Sequence, residues 1–185
     1  YQDATAPYYV CDSEWLLAEV DESDGTINGF NPEISVVLNL DWDHIDYYQD
    51  FDSLKKVFEG LLLRTKSKIL IEALNFEAFS SREAFPGECV FIDTESVIEG
   101  DTLHADPLLE SGNGMLNTDF NCRNQMFAEG VLGLFESNLP KREILFKSFP
   151  GVERRQGILL SKEELVVLED YAHHPSEIDI LIKAI

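Results

Sequence analysis

Two acidic clusters carry the residue types that could do chemistry in this chain. The first is Glu19-Val20-Asp21-Glu22-Ser23-Asp24-Gly25, with five polar residues among seven, and the second is Asn39-Leu40-Asp41-Trp42-Asp43-His44-Ile45-Asp46. Carboxylate oxygens suit a hard divalent cation such as Mg²⁺, and a neutral imidazole can complete a site between protein and phosphate. Each cluster stands at the end of a short apolar run, residues 15–20 and 35–40. Runs of that length read as strands covered on both faces. In an open parallel sheet, ligands sit outside the carboxyl ends of strands, and two sequential strand ends lie side by side at one edge. A solvated acidic turn around Glu19 and a structural role for His44 fit the same residues, so the pattern alone leaves both readings open.

The elements that must position these clusters alternate between strand and helix periodicity. Gly25, Asn28, Gly29, Asn31 and Pro32 mark a loop between the first two strands. Leu54, Val57, Phe58, Leu61 and Leu62 follow the spacing of an amphipathic helix over 53–63, with Asp52 or Ser53 as its cap. Residues 68–74 read as a strand, 76–85 as a short helix and 89–92 as a strand, while 93–114 is polar, acidic and rich in turn residues. Helical spacing returns over 124–135, and Pro140 suits the first turn of a helix ending near Phe146. Residues 157–160 and 165–168 pair as strands across a turn at 161–164, and 176–185 is helical. The order predicts an α/β fold with a mostly parallel sheet flanked by helices. A boundary near Pro150-Gly151 divides it into 1–149 and 150–185.

Composition narrows the class of partner. Fourteen Lys and Arg against 35 Asp and Glu give a net charge of −21, a field that repels phosphate backbones and anionic membranes. Nucleic acid and membrane partners are therefore not expected. No apolar run approaches the roughly 20 residues of a bilayer-spanning helix. Cys11, Cys89 and Cys122 have no metal-site spacing and read as reduced thiols, which points to the cytoplasm.

The two clusters resemble those of the Mur-type peptide ligases, specifically the family that joins L-alanine to UDP-N-acetylmuramate. Residues 19–25 resemble its E-A-D-E-S-D-G, and residues 39–46 its N-I-E-x-D-H-x-D. Asp50-Phe51-Asp52-Ser53-Leu54-Lys55 continues through its D-F-x-x-L-K. Gly151-Val152-Glu153-Arg154-Arg155 and Glu169-Asp170-Tyr171-Ala172-His173-His174-Pro175 resemble G-x-x-R-R and D-D-Y-G-H-H-P. Five motifs in order cover almost the whole chain.

The resemblance implies a fold and a chemistry. Residues 1–149 would be a central ATP-binding domain of P-loop NTPase type, and 150–185 a linker with the start of a C-terminal α/β domain. ATP would phosphorylate a substrate carboxylate, and the amine of an amino acid would attack the acyl phosphate. Positioning and charge neutralisation dominate such a reaction between anions. Glu19 and His44 would hold Mg²⁺, with Asn39 and Asp43 shaping the site around them. Asn121 and Asn124 stand at the spacing of the family's H-N-x-x-N, which meets adenine, although Phe120 replaces its histidine. Arg155, with Arg154 beside it, would steady the phosphates, and Asp170 would approach the ribose or phosphates. Tyr171 and His173 would face UDP-N-acetylmuramate or L-alanine. Lys55 matches a position near a carbamylated lysine of related ligases and reads here as a helix-surface lysine. The family's G-x-x-G-K-[ST] loop does not occur in the chain. A fragment inactive by itself, from a monomeric or homodimeric enzyme, is therefore expected.

Three rivals remain on sequence grounds. A murein-peptide ligase of the same superfamily favours E-A-D-E-Y-D, against which Ser23 argues. A non-catalytic acidic α/β module would explain the missing loop and Phe120. A metal-dependent hydrolase built on Asp41, Asp43 and His44 lacks a second histidine-rich motif.

Overall fold

Three parallel strands form the centre of the molecule, in the order β1 (Ile34–Val37), β2 (Lys68–Glu72) and β3 (Glu88–Ile92). The computed structural model describes residues 11–42, 44, 46–92, 119–135, 152 and 154–184. The register aligns Val36, Leu70 and Val90 across the sheet, and Ile69 stands beside Ser35 and Cys89. Central strand β2 is covered on both faces, and Ile69, Leu70 and Ile71 are completely buried. This explains the unbroken apolar run at 69–71, where a strand covered on one face would alternate.

Helix α1 (Phe51–Arg64) crosses from β1 to β2. Its Leu62 joins Val37, Ile69, Ile71 and Phe79 in the core, with Phe58, Phe76 and Phe85 packed against them. Asp50, rather than Asp52 or Ser53, is the N-cap: its carboxylate accepts from Ser53 N at 2.7 Å, and Ser53 completes a capping box. Behind α1, the Ser35 and Thr65 hydroxyls share a buried 2.7 Å hydrogen bond. Helix α2 (Ala73–Glu77) begins directly after β2 and is shorter than the 76–85 span expected, because a 3-10 turn, Arg82–Ala84, replaces its second half.

Helix α3 (Asp119–Leu134) packs on the other face of the sheet, against β2 and β3. Gly130 makes that approach possible, since a Cβ there would meet Ile92 Cδ1 at 2.7 Å and Leu70 Cδ2 at 3.1 Å. Strands β4 (Gly157–Lys162) and β5 (Leu165–Glu169) form an antiparallel hairpin, turning at Glu163 and Glu164, with a register shift that leaves Leu159 unpaired. Helix α4 (Pro175–Ala184) follows. The helix expected after Pro140 lies outside the described residues.

One expected strand is absent. Residues 15–20 have no strand assignment, and Leu16 and Leu17 are 90% and 88% exposed. A strand exists through the hydrogen bonds of a neighbour, and no described strand pairs with this segment. Within this segment Trp15 packs edge-on to Phe135, with ring centroids 4.9 Å apart.

Candidate functional site

The acidic loop is shaped by its own side chains. Asp21 Oδ1 accepts from Ser23 N at 2.7 Å and Asp24 Oδ1 from Thr26 N at 2.9 Å, two local turns that explain the D-x-S and D-x-T spacing. Gly25, at φ +76°, caps the 3-10 turn Thr26–Gly29, and a side chain there would collide with the Tyr47 ring. Arg64, at the end of α1, donates to Phe30 O at 2.9 Å and Ile27 O at 3.2 Å, tying the turn to the helix. The hydrogen bonds from Ser23 hold the Asp21 carboxyl below its ordinary value, outweighing the opposing effect of burial.

The segment leaving β1 closes over this loop. Buried Tyr48 donates its phenol hydrogen to Glu22 O at 2.5 Å. His44 adopts a left-handed backbone (φ 55°), and its carbonyl accepts from Tyr47 N at 2.8 Å and Tyr48 N at 2.9 Å. Its Nε2 lies 3.4 Å from Glu22 Oε1. Asp21, Glu22 and His44 each offer one ligand atom, all within 4.8 Å of one another. Ligands around one hard cation stand about 2.0–2.6 Å from it, so atoms on opposite sides are roughly 4–5 Å apart and this set matches that span. Two carboxylates and one imidazole can neutralise and orient a phosphate-bound cation.

The sequence candidates are distributed around this cluster. His44 is in it. Glu19 is exposed and lies outside it, while Asp21 and Glu22 take part although the sequence singled out neither. Their signal was present in the first motif, and what selects them is the loop geometry set by Ser23 and Tyr48. Asn39 is exposed, Asp43 lies outside the described residues, and Lys55 pairs with Asp52 on the surface of α1 at 2.8 Å.

A second group forms where α3 meets the hairpin. Asn121 is buried on α3, and its Nδ2 donates to Gln156 Oε1 at 2.8 Å, whereas Asn124 is exposed. Asp170 accepts from Gln156 N at 2.9 Å and Ala172 N at 2.7 Å. The Arg154 and Arg155 guanidinium carbons stand 5.1 and 5.5 Å from the Tyr171 ring centroid, and His173 packs edge-on to the same ring. Arg155, Asp170, Tyr171 and His173 are thus brought together, and Asn121 reaches them through Gln156. No spacing in the sequence marked Gln156.

The chain is 25% identical to the UDP-N-acetylmuramate--L-alanine ligase of Bdellovibrio bacteriovorus over 92% of its own length and 42% of that protein. It is 30% identical to the ligase of the same name from Desulfatibacillum aliphaticivorans, covering 93% of the chain and 41% of that protein. It is 31% identical to the bifunctional enzyme MurC/Ddl of Chlamydia trachomatis, covering 94% of the chain and 23% of that protein. The chain spans about two fifths of the length of the ligases it matches. No family model matches it. Among the described residues, no helix is long and apolar enough to cross a membrane.

Proposed function

From homology to Mur-type ligases as premise, we propose that the chain is the ATP-handling portion of an ATP-dependent ligase. The parent enzyme would join L-alanine to UDP-N-acetylmuramate through an acyl phosphate, in the cytoplasm, as a step of peptidoglycan precursor synthesis. The observation that carries this reading is the meeting of Glu22 and His44, which puts the two acidic motifs of the chain at one point.

Each side chain has a part in that chemistry. Asp21, Glu22 and His44 would hold Mg²⁺, with Glu19 as the further carboxylate of the same segment. The ion would supply positive charge to phosphate oxygens during transfer. Arg155, whose guanidinium carbon stands 5.5 Å from the Tyr171 ring centroid, would steady the phosphates by charge-assisted hydrogen bonds. Asn121 and Asn124 would meet the adenine, Asp170 the ribose or phosphates, and Tyr171 and His173 the UDP-N-acetylmuramate or alanine side. The net charge of −21 makes these few cationic groups decisive, because the rest of the protein repels a nucleotide.

The test is phosphate release by the full-length protein carrying this chain, supplied with ATP, Mg²⁺ and UDP-N-acetylmuramate, with and without L-alanine. Release that needs both substrates and disappears in Glu22→Gln and His44→Ala supports the reading. Release that needs a peptide in place of L-alanine would move the assignment to a murein-peptide ligase, and no release with any acceptor would remove the ligase reading.

A further inference from the structure

Gln156 is almost fully buried, at 1% exposure, and it engages two residues that the proposed function assigns to the nucleotide. Its Oε1 accepts from Asn121 Nδ2 at 2.8 Å, and its backbone N–H donates to Asp170 Oδ2 at 2.9 Å. Asn121 is 4% exposed. A base edge must come to about 2.9 Å from a carboxamide to bond with it, and an amide so covered leaves no path for that approach. The segment that carries its partner Gln156 is under backbone strain: Arg154 and Gln156 sit at φ 60° and 52°, left-handed conformations that cost a non-glycine residue energy and persist only where surrounding contacts hold them.

We propose that Gln156 is an affinity-determining residue whose side chain competes with adenine nucleotide for Asn121. The inference rests on the reading of Asn121 as a nucleotide contact. Gln156 takes one of the two Asn121 Nδ2 hydrogens, and burial of the amide closes it to the base. Nucleotide binding exchanges the Asn121–Gln156 bond for a bond to the base and releases the turn at 154–156. Arg155 rides on that turn, so release also alters its place over Tyr171. Only the open fraction binds, so the observed affinity is the intrinsic affinity reduced by that fraction. The sign of a mutation at Gln156 follows. Removing a residue that helps to form a binding site weakens binding, whereas removing a competitor strengthens it.

The experiment measures ATP affinity by calorimetry with Mg²⁺ for the full-length protein carrying this chain, unmodified and as Gln156→Met and Gln156→Met/Asn121→Ala. Methionine keeps the shape of the side chain and removes the acceptor. Losing one buried hydrogen bond in the closed arrangement is expected to tighten ATP binding by about threefold to tenfold. In the double variant the competitor is already absent, so Asn121→Ala reports the base contact alone, and that gain should be lost. Unchanged or weaker binding in Gln156→Met overturns the competition, whatever Asn121 does. Tighter binding in Gln156→Met that survives Asn121→Ala overturns the adenine reading of Asn121 and the competition with it. Absence of ATP binding in all three proteins sinks both. Gln156→Ala has the same expected sign and serves if the methionine variant does not fold.

Discussion

The Tyr48 phenol donates a 2.5 Å hydrogen bond to the Glu22 carbonyl, closing 26 residues of sequence into one loop. Burial raises the phenol's pKa, and the surrounding charges of Tyr47, Glu22, Asp21 and Asp24 raise it further, so the donor keeps its proton. The acidic loop is therefore positioned by a neutral group that never competes for a cation.

Tyr48→Phe tests that role. It removes one buried hydrogen bond, worth about 1 kcal/mol, and should lower the Tm by roughly 2–4 °C for a chain of this size. The variant should also bind Mn²⁺ more weakly, because Glu22 is no longer held opposite His44. Calorimetric titration of Mn²⁺ beside a thermal melt separates the two effects. A lower Tm with unchanged Mn²⁺ affinity would show that Tyr48 supports the fold without positioning the cluster.

His44 combines its proposed ligand role with a left-handed backbone, and substitutions can separate them. At φ 55° a β-branched residue is strained and glycine is not. His44→Val should cost about 1–2 kcal/mol more than His44→Gly in urea unfolding. Both should lose Mn²⁺ affinity to a similar degree, since both lack the imidazole. Retained affinity in His44→Gly would exclude the ring as a ligand.

How far the sequence disclosed this structure depends on what kind of contact carries each feature. Helix α1 and strand β2 were legible because their apolar spacing records burial directly: Leu54 and Leu62 mark the core side of α1, and 69–71 mark a strand buried on both faces. Strand β3 and the hairpin β4–β5 were legible as short apolar runs beside turn residues rather than through burial, since Phe91, Leu159 and Val166 are exposed. Residues 15–20 misled because an apolar run states that burial is available without naming the neighbour, and Leu16 and Leu17 have none among the described residues. The two acidic motifs are the segments that meet, and which of Glu19, Asp21 and Glu22 approaches His44 turns on a loop whose shape comes from Ser23 N and Tyr48 Oη. Gln156 was invisible because a buried amide leaves no periodic trace. Its importance lies in partners 35 residues upstream and 14 downstream.

The buried hydroxyl pair beneath α1 makes a prediction about stability alone. Thr65 Oγ1 donates to Leu61 O at 3.0 Å and lies 2.7 Å from Ser35 Oγ. Thr65→Val keeps the shape and leaves the Ser35 hydroxyl without this contact in a buried site, at a cost of about 1–3 kcal/mol. Ser35→Ala/Thr65→Val should cost less than the sum of the single changes, because no hydroxyl is then stranded. Additive costs in urea unfolding would mean that the two hydroxyls do not depend on each other.

Glu177 gives a pH prediction at the start of α4. Its Oε2 accepts from His173 N at 3.0 Å and His174 N at 3.2 Å. Burial by itself raises the carboxyl's pKa, but those two backbone donors and the charges of His173 and Arg155 outweigh it, so the net direction is down from 4.5. A carboxyl with a depressed folded-state pKa contributes stability above its unfolded value and loses it as pH falls through the folded one. The start of α4 should therefore hold its amide protection at neutral pH and lose it below about pH 4.5. Glu177→Gln should reduce that protection at neutral pH and flatten its acid dependence, since an amide oxygen is a weaker acceptor that does not titrate there. The check is hydrogen exchange of the α4 amides as pH is lowered, with the unmodified protein and the variant side by side. Equal pH dependence in both would assign the acid response to other carboxylates and leave Glu177 a neutral cap.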